Sequence, residues 1–406
     1  MSAPVIAGHT LAFDGAGRLL PWSGWRRALT LEMDYYRTCP LDHGYPRFAS
    51  ETFLDADWRP SSARDDIIPA TQNGLGILSY VKYAAWARAD WALQTARLLG
   101  EYLLNETLTP PAGAYPSFTR STGRRGRFPQ PDDAGSQSDR PYEIEPDKGG
   151  IAGFALALLG STLREEKFLA QALANARTLA RNQLPGDAEH SPWPFRADHR
   201  SGEARGLVSG NMSFVMRLYD ELVGAGHGEF EAPRAALWRW ILQYQIPSVR
   251  SGGALFAQFF EDHDTPTNRS AWAPLNLARY LIERRDALDA DWLGHARALI
   301  EFTRDNFTHL EFGVRVCHEQ DEDAQAWGGI NSTYGAVLAL YAKAAGDAEL
   351  AMDARDALNY TLHLIDAAGR PRDVAGNQNP GGWQEDAHTD VIHNVIDALR
   401  AYPEWA

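Results

Sequence analysis

Cysteine is scarce: Cys39 and Cys317 are the only two in 406 residues. There is no Cys-x-x-Cys spacing, which argues against a thiolate metal centre, and the sequence leaves open whether the two thiols pair. No window reaches about 18 consecutive apolar residues, so no transmembrane helix is expected. The N-terminal stretch "MSAPVIAGHTLAFDG" lacks a basic segment followed by a long apolar run, so no signal peptide is expected. A cytoplasmic protein is the expectation, or a periplasmic one if a leader has been removed. Basic charge is also short: Lys and Arg total 39 against 53 Asp and Glu, a formal net charge of −14. Nucleic acid and anionic membranes both select basic surfaces, so neither is an expected partner. An anionic small substrate stays possible, because it needs only a local basic pocket. Nothing in the sequence fixes the oligomeric state.

What is present is helical periodicity, in pairs of unlike helices. Residues 149–163, "GGIAGFALALLGSTL", carry no charge and are rich in Gly and Ala. The next stretch, "REEKFLAQALANARTLARNQ", is amphipathic, with Phe168, Leu169, Leu173, Ala176 and Leu179 on one stripe. The alternation returns at 73–107, 210–245, 268–306 and 329–365. A helix that is apolar all round is buried, whereas an amphipathic one faces solvent. Short turns such as "AAGDAEL" suit antiparallel neighbours. That makes five hairpins. Two helices remain, one at 22–37 and the last at 386–400, and pairing them completes a sixth. The expectation is one all-α domain over 1–406, an (α/α)6 toroid of six hairpins with long rim loops. An open solenoid is the alternative, but it leaves a lone helix at each terminus.

In a toroid all six inner helices start at one end, and the segments before those starts are unusually polar. They are "ATQNGLG" (Gln72, Asn73), "YEIEPDKGG" (Tyr142, Glu145, Asp147), "LVSGNMS" (Asn211), "TPTNRSAW" (Arg269, Trp272), "EQDEDAQAWGGINS" (Asp323, Trp327, Asn331) and "GGWQEDAHTDVIHNVIDAL" (Trp383, Asp386, His388, His393). Helix N-termini add partial positive charge at such a rim. Residues 108–148 and 184–209 are too long for plain links and read as lids. They carry Arg120, Arg124, Arg125 and Arg127 in the first, and Trp193, Phe195 and Arg196 in the second. Segment 251–263, "SGGALFAQFFEDH", reads as a strand or hairpin on the same rim.

Carboxylates facing one another among aromatic side chains suggest carbohydrate chemistry. Sugars stack apolar C–H faces on Trp and Tyr, while their hydroxyls need Asn, Gln, Arg and carboxylate partners. Glycoside cleavage needs one carboxylic acid to protonate the leaving oxygen and a second carboxylate to activate water or attack. Glu145, Asp147, Asp323 and Asp386 are the expected acids, with His388 in support. Gln72, Asn73, Tyr142, Trp193, Arg196, Asn211, Arg269, Trp272, Trp327, Asn331, Trp383 and His393 are the expected binding residues. Each has a plainer reading. Asp147 and Asp386 suit helix N-caps, "EQDEDAQ" a solvated loop, and Trp272, Trp327 and His393 core positions. His388 and His393 stand five apart, about 140° around a helix, which does not suit a metal pair, so neither metal nor cofactor is expected.

With "EIEPDKGG", "AWGGINSTYG" and "GGWQEDAHTD" in hand, the chain from about residue 22 to 401 resembles the six-hairpin glycosidase superfamily of (α/α)6 toroids. That group includes glucoamylase-like hydrolases, unsaturated glucuronyl hydrolases, several polysaccharide lyases and N-acylglucosamine 2-epimerases. The C-terminal segment looks similar to glucuronidase-like members, which implies a substrate containing a uronic acid. The resemblance therefore implies a glycoside hydrolase. The alternatives are an epimerase or lyase with His or Tyr as base, and a non-catalytic sugar-binding toroid. A terpenoid-type enzyme is disfavoured because "DEDAQ" is a poor magnesium motif.

Overall fold

The computed structural model describes residues 4–50, 54–55, 57–59, 68–122, 140–258, 267–375 and 385–406, with the backbone alone at 385–388. It is an all-α chain with small sheets. Its helices are α1 (Trp25–Tyr36), α2 (Pro69–Ala87), α3 (Asp90–Glu106), α4 (Pro146–Leu163), α5 (Glu166–Asn182), α6 (Met212–Gly224) and α7 (Glu231–Trp240). There follow α8 (Ile246–Ser248), α9 (Trp272–Arg284), α10 (Trp292–Phe307), α11 (Gly328–Ala345), α12 (Ala348–His363) and α13 (Glu385–Ala401). The starts expected at 73, 149, 210, 268, 329 and 386 fall at Pro69, Pro146, Met212, Trp272, Gly328 and Glu385.

Local chemistry explains the hairpins. Helices α2, α4 and α11 each end on a left-handed residue: Arg88 (φ 55°), Arg164 (φ 58°) and Gly346 (φ 72°). Such a residue closes the last turn and redirects the chain, so the next helix begins within two residues. Between α7 and α8 the chain makes a π-helical turn, Ile241–Gln245. Pro247 follows, and its missing N–H cannot continue the α-helical ladder there.

The chain folds as two compact units. One comprises residues 42–52 and 62–273. In it α2 packs on α3 and α4, and α4 packs on α5 and α6. Glycine is what lets α4 approach so closely: a Cβ at Gly150 would lie 2.6 Å from Val215 Cγ2, and one at Gly153 2.7 Å from Leu218 Cδ2. Neighbours this close leave no room for charged side chains along residues 149–163. On α5, Phe168, Ala172, Ala176 and Leu179 are buried, whereas Leu169 and Leu173 are only half-buried. Buried Asn175 shares that face, donating to Thr119 Oγ1 (2.7 Å) and to the Gly149 carbonyl (3.0 Å).

The other unit comprises residues 1–41, 53–61 and 274–406. Helix α11 packs on α12 and α13. Gly335 faces Leu358, where a Cβ would meet Cγ at 2.6 Å. Helix α1 joins this group through Trp25, whose indole donates to Asn359 (2.8 Å) and whose ring lies 5.3 Å from that of Trp405.

Two expectations need correction. Segment 251–263 is no strand in its described part: Ala254–Phe256 form a 3-10 turn, and Ala257 makes one isolated bridge to Arg269. Arg120 is no rim cation. It is buried, donates to the carbonyls of Thr122 and Glu106, and burial pulls its pKa down to about 10. Arg124, Arg125 and Arg127 lie outside the described residues. Both cysteines are free thiols. No described helix is long and apolar enough to cross a membrane.

Candidate functional site

In the unit containing α4, a three-stranded antiparallel sheet brings the two long connections together. Glu143–Ile144 pairs with Arg196–Asp198, which pairs with Ala204–Arg205. Arg205 clamps Glu143 with two bonds, Nε to Oε1 at 2.7 Å and Nη2 to Oε2 at 2.5 Å. This register delivers Glu145 to the N-cap of α4 and Asp147 to its first turn. Glu145 is buried and meets the buried guanidinium of Arg196 at 3.3 Å. Asp147 is fully buried, yet it does not cap the helix. Its Oδ2 accepts from Ser209 Oγ (2.8 Å) and its Oδ1 from the Lys148 amide (2.9 Å). Burial raises its pKa above the usual carboxylate value, and Lys148, Ser209 and Asn211 oppose that rise. Lys148 is itself buried, 5.6 Å from the centre of the Trp272 ring, and Trp272 stacks on Phe214 at 5.4 Å.

The other expected residues of this unit divide by burial. Gln72 donates to the Phe48 carbonyl (3.0 Å) and Asn73 to the Ala49 and Pro69 carbonyls (3.2 and 3.1 Å), so both pin the 47–49 turn to α2. Trp193 has 0% exposure and donates to the Leu179 carbonyl (3.1 Å). Its ring belongs to the core, which corrects the expectation of a sugar-stacking platform. Tyr142 is 39% exposed with φ 71°, and Arg200 lies over its ring at 3.6 Å. Asn211 is the buried N-cap of α6, beside Asp147. Arg269 donates to the Gly252 carbonyl at 2.8 Å.

In the unit containing α11 and α13, Asp323 accepts from the Trp327 indole (2.7 Å) and the Gln325 amide (2.9 Å). Trp327 is half-buried at the N-cap of α11. Asn331 has 0% exposure; it receives the Cys317 amide (3.0 Å) and donates to Ala357 and Thr361. Its amide is wholly used in packing, a correction to the binding role expected of it. Trp383 lies outside the described residues, as do the side chains of Asp386 and His388, whose backbone forms the first turn of α13.

Two turns further along α13 is a buried polar cluster that sequence reasoning missed in part. Arg279 of α9 donates to Asn394 Oδ1 and approaches His393 Nδ1 at 3.4 Å. Asn394 passes its own protons to Ser332 (2.9 Å) and Thr333 (3.0 Å). Asp390 is buried, and desolvation raises its pKa to about 7 against the pull of Arg279. Glu32 of α1 is wholly buried, with its pKa pushed well above the usual range by burial and by Asp390. The signal for Glu32 was present: it sits on the buried stripe of Leu29, Met33 and Tyr36, where an apolar residue is the rule. Arg279 falls between buried Ala278 and Tyr280 in the same way. Among the described residues, no group of three or more His, Cys, Asp or Glu is placed to hold a metal ion.

No family model and no curated protein matches the sequence. Solved structures do. The chain is similar to a sugar epimerase from a ruminal bacterium (TM-score 0.64, 14% identity, covering 91% of this chain and 97% of that one). It is similar to a D-mannose isomerase (TM-score 0.67, 11% identity, 92% and 96% covered). A family 76 glycoside hydrolase from a bovine Bacteroides thetaiotaomicron strain matches as well (TM-score 0.60, 12% identity, 93% and 77% covered). At these identities the likeness shows the fold, an (α/α)6 toroid of helical hairpins, which enzymes of sugar chemistry share.

Proposed function

We propose that the protein is a sugar-active enzyme that moves a proton at carbon, as an epimerase or isomerase does. The observation that carries this reading is the engagement of three of the expected catalytic acids. Glu145 is held by Arg196, Asp147 by Ser209 and the Lys148 amide, and Asp323 by the Trp327 indole. Glycoside cleavage asks two carboxylates to face a scissile bond. Abstraction of a proton beside a carbonyl asks instead for a base poised near neutral pH and a donor for the oxygen. Histidines suit that task, and the opening turns of α13 offer His388 and His393, the latter beside Asp390 and Arg279. The sugar epimerase and the D-mannose isomerase, proteins of this fold, make the same reading chemically economical.

Hydrolysis remains the second reading, favoured by Asp147, whose buried carboxyl has a raised pKa as a general acid requires. A uronic-acid substrate is not part of this reading: Arg196 pairs with Glu145, and Arg269 donates to the Gly252 carbonyl. Incubation with free aldoses and ketoses, cellobiose, N-acetylated hexosamines, uronates and aryl glycosides in D2O separates the two. Proton transfer at carbon incorporates deuterium with the glycosidic bond intact, whereas hydrolysis releases a new reducing end.

A further inference from the structure

The hairpin that connects α10 to α11 carries a polar chain that none of the roles above uses. Thr308–Glu311 pairs with Val314–Cys317, with His309 opposite Val316. Alternation therefore puts His309, Glu311, Val314, Val316 and His318 on one face. Along it the contacts are continuous. Tyr360 of α12 donates its hydroxyl proton to Glu311 Oε2, and Glu311 Oε1 takes a bond from His309 Nε2 at 3.0 Å. The His309 ring lies 5.6 Å from the His318 ring, which also rests edge-on to Phe307 at 5.7 Å.

The chemistry of the donors fixes the protons. An ionised carboxylate only accepts, so His309 turns its Nε2–H toward Glu311 and its Nδ1 away from it. That Nδ1 and the Nδ1 of His318 are both buried, and neither has a hydrogen-bond partner among the described residues. Buried ring nitrogens left unpaired are costly, and such groups are retained most often where they work. His318 is half-buried at the head of the segment that runs through Asp321 and Asp323 to Trp327. The charges acting on it are His309 on one side and Asp321 and Asp323 on the other.

We propose that His318 is a catalytic base of this enzyme, with His309 and Glu311 as the residues that position it. The inference rests on the proton-transfer reading above. In the step, the sugar's C–H proton passes to an imidazole nitrogen of His318 and the C–H electron pair moves into the adjacent carbonyl, giving an enediolate. The imidazolium then returns the proton to carbon, so nothing is oxidised or reduced overall. Burial first, and the neighbouring His309 second, lower the His318 pKa, which keeps the ring neutral and able to accept a proton at neutral pH.

The test compares the full chain with His318→Gln and His309→Gln, using the sugar that exchanges fastest in D2O. His318→Gln should lose deuterium incorporation by at least about 100-fold, with sugar binding and thermal midpoint little changed. His309→Gln should keep measurable exchange, but the acid limb of its pH–rate profile should move to higher pH, because a nearby cation that depressed His318 has gone. Circular dichroism and sugar-binding titration confirm that each variant folds. Exchange at the unaltered rate in His318→Gln overturns the inference and leaves the proton-transfer reading standing. Exchange by the unaltered chain with none of the sugars overturns that reading, and the inference with it.

Discussion

Arg196 and Glu145 form an ion pair at 3.3 Å with 2% and 1% of their side chains exposed. Two charges so placed have given up their water, and each depends on the other for compensation. Arg196→Ala is therefore expected to destabilise the fold by about 3–5 kcal/mol, the cost of stranding one buried charge. Replacing both with Leu should recover most of that loss. Chemical denaturation of the three variants checks this. A single Arg196→Ala variant of unchanged stability but weakened uronate binding would return Arg196 to the substrate.

Asp390 makes a pH prediction. Its pKa is raised from 3.8 to about 7 in the folded chain. The folded state thus holds the proton more tightly than the unfolded state, and the stabilisation is complete below pH 4. It is lost as pH rises through 7, and the slope for this group lies between those limits. The amide in Asp390→Asn mimics the protonated acid, so the variant should gain on the parent by on the order of 2–4 kcal/mol between pH 4 and 8. Denaturation midpoints across that range measure the difference. Parallel curves for parent and variant would contradict the burial argument.

Two glycines should respond in opposite ways. Gly150→Ala puts a methyl 2.6 Å from Val215 Cγ2 and 3.1 Å from the Val215 amide nitrogen, and overpacking of this kind costs about 1–3 kcal/mol. Gly224 closes α6 with nothing within 4 Å of an added Cβ. Gly224→Ala should stabilise by up to about 1 kcal/mol through helix propensity. Thermal unfolding of the two variants is the check.

Trp327→Phe keeps an aromatic face but removes the donor that holds Asp323 at 2.7 Å. The expected loss is about 0.5–1.5 kcal/mol, with sugar binding retained if the ring is used for stacking. Trp327→Ala should weaken both. Isothermal titration with the responsive sugar, alongside denaturation, separates the two effects.

The helices were legible because burial leaves a mark on composition. The charge-free run at 149–163 became α4, and the glycines that make it look weak as a helix are the ones that admit Val215 and Leu218. Hairpin turns were legible through their lengths, although Arg88 and Arg164 show that a left-handed cap need not be glycine. The candidate site was legible only as a set of segments. Sequence placed Glu145 and Asp147 at the start of α4, but it could not show that Arg196 and Ser209 engage them, because those partners come from elements 51 and 62 residues away. Trp193 and Asn331 were misjudged for the same reason: a tryptophan or asparagine next to a polar loop reads alike whether it faces a ligand or a neighbouring helix. The Tyr360–Glu311–His309 chain was invisible, since it needs both strand register and α12.

Proton NMR of a reducing sugar incubated with the enzyme in D2O decides whether a proton is transferred at carbon. The signal of the proton beside the carbonyl should fade as solvent deuterium replaces it. A second sugar, its epimer or isomer, should grow in, while added glycosides stay intact. Release of a new reducing end from a glycoside, with no deuterium at carbon, would rule out proton transfer at carbon and restore the paired-carboxylate hydrolase in its place.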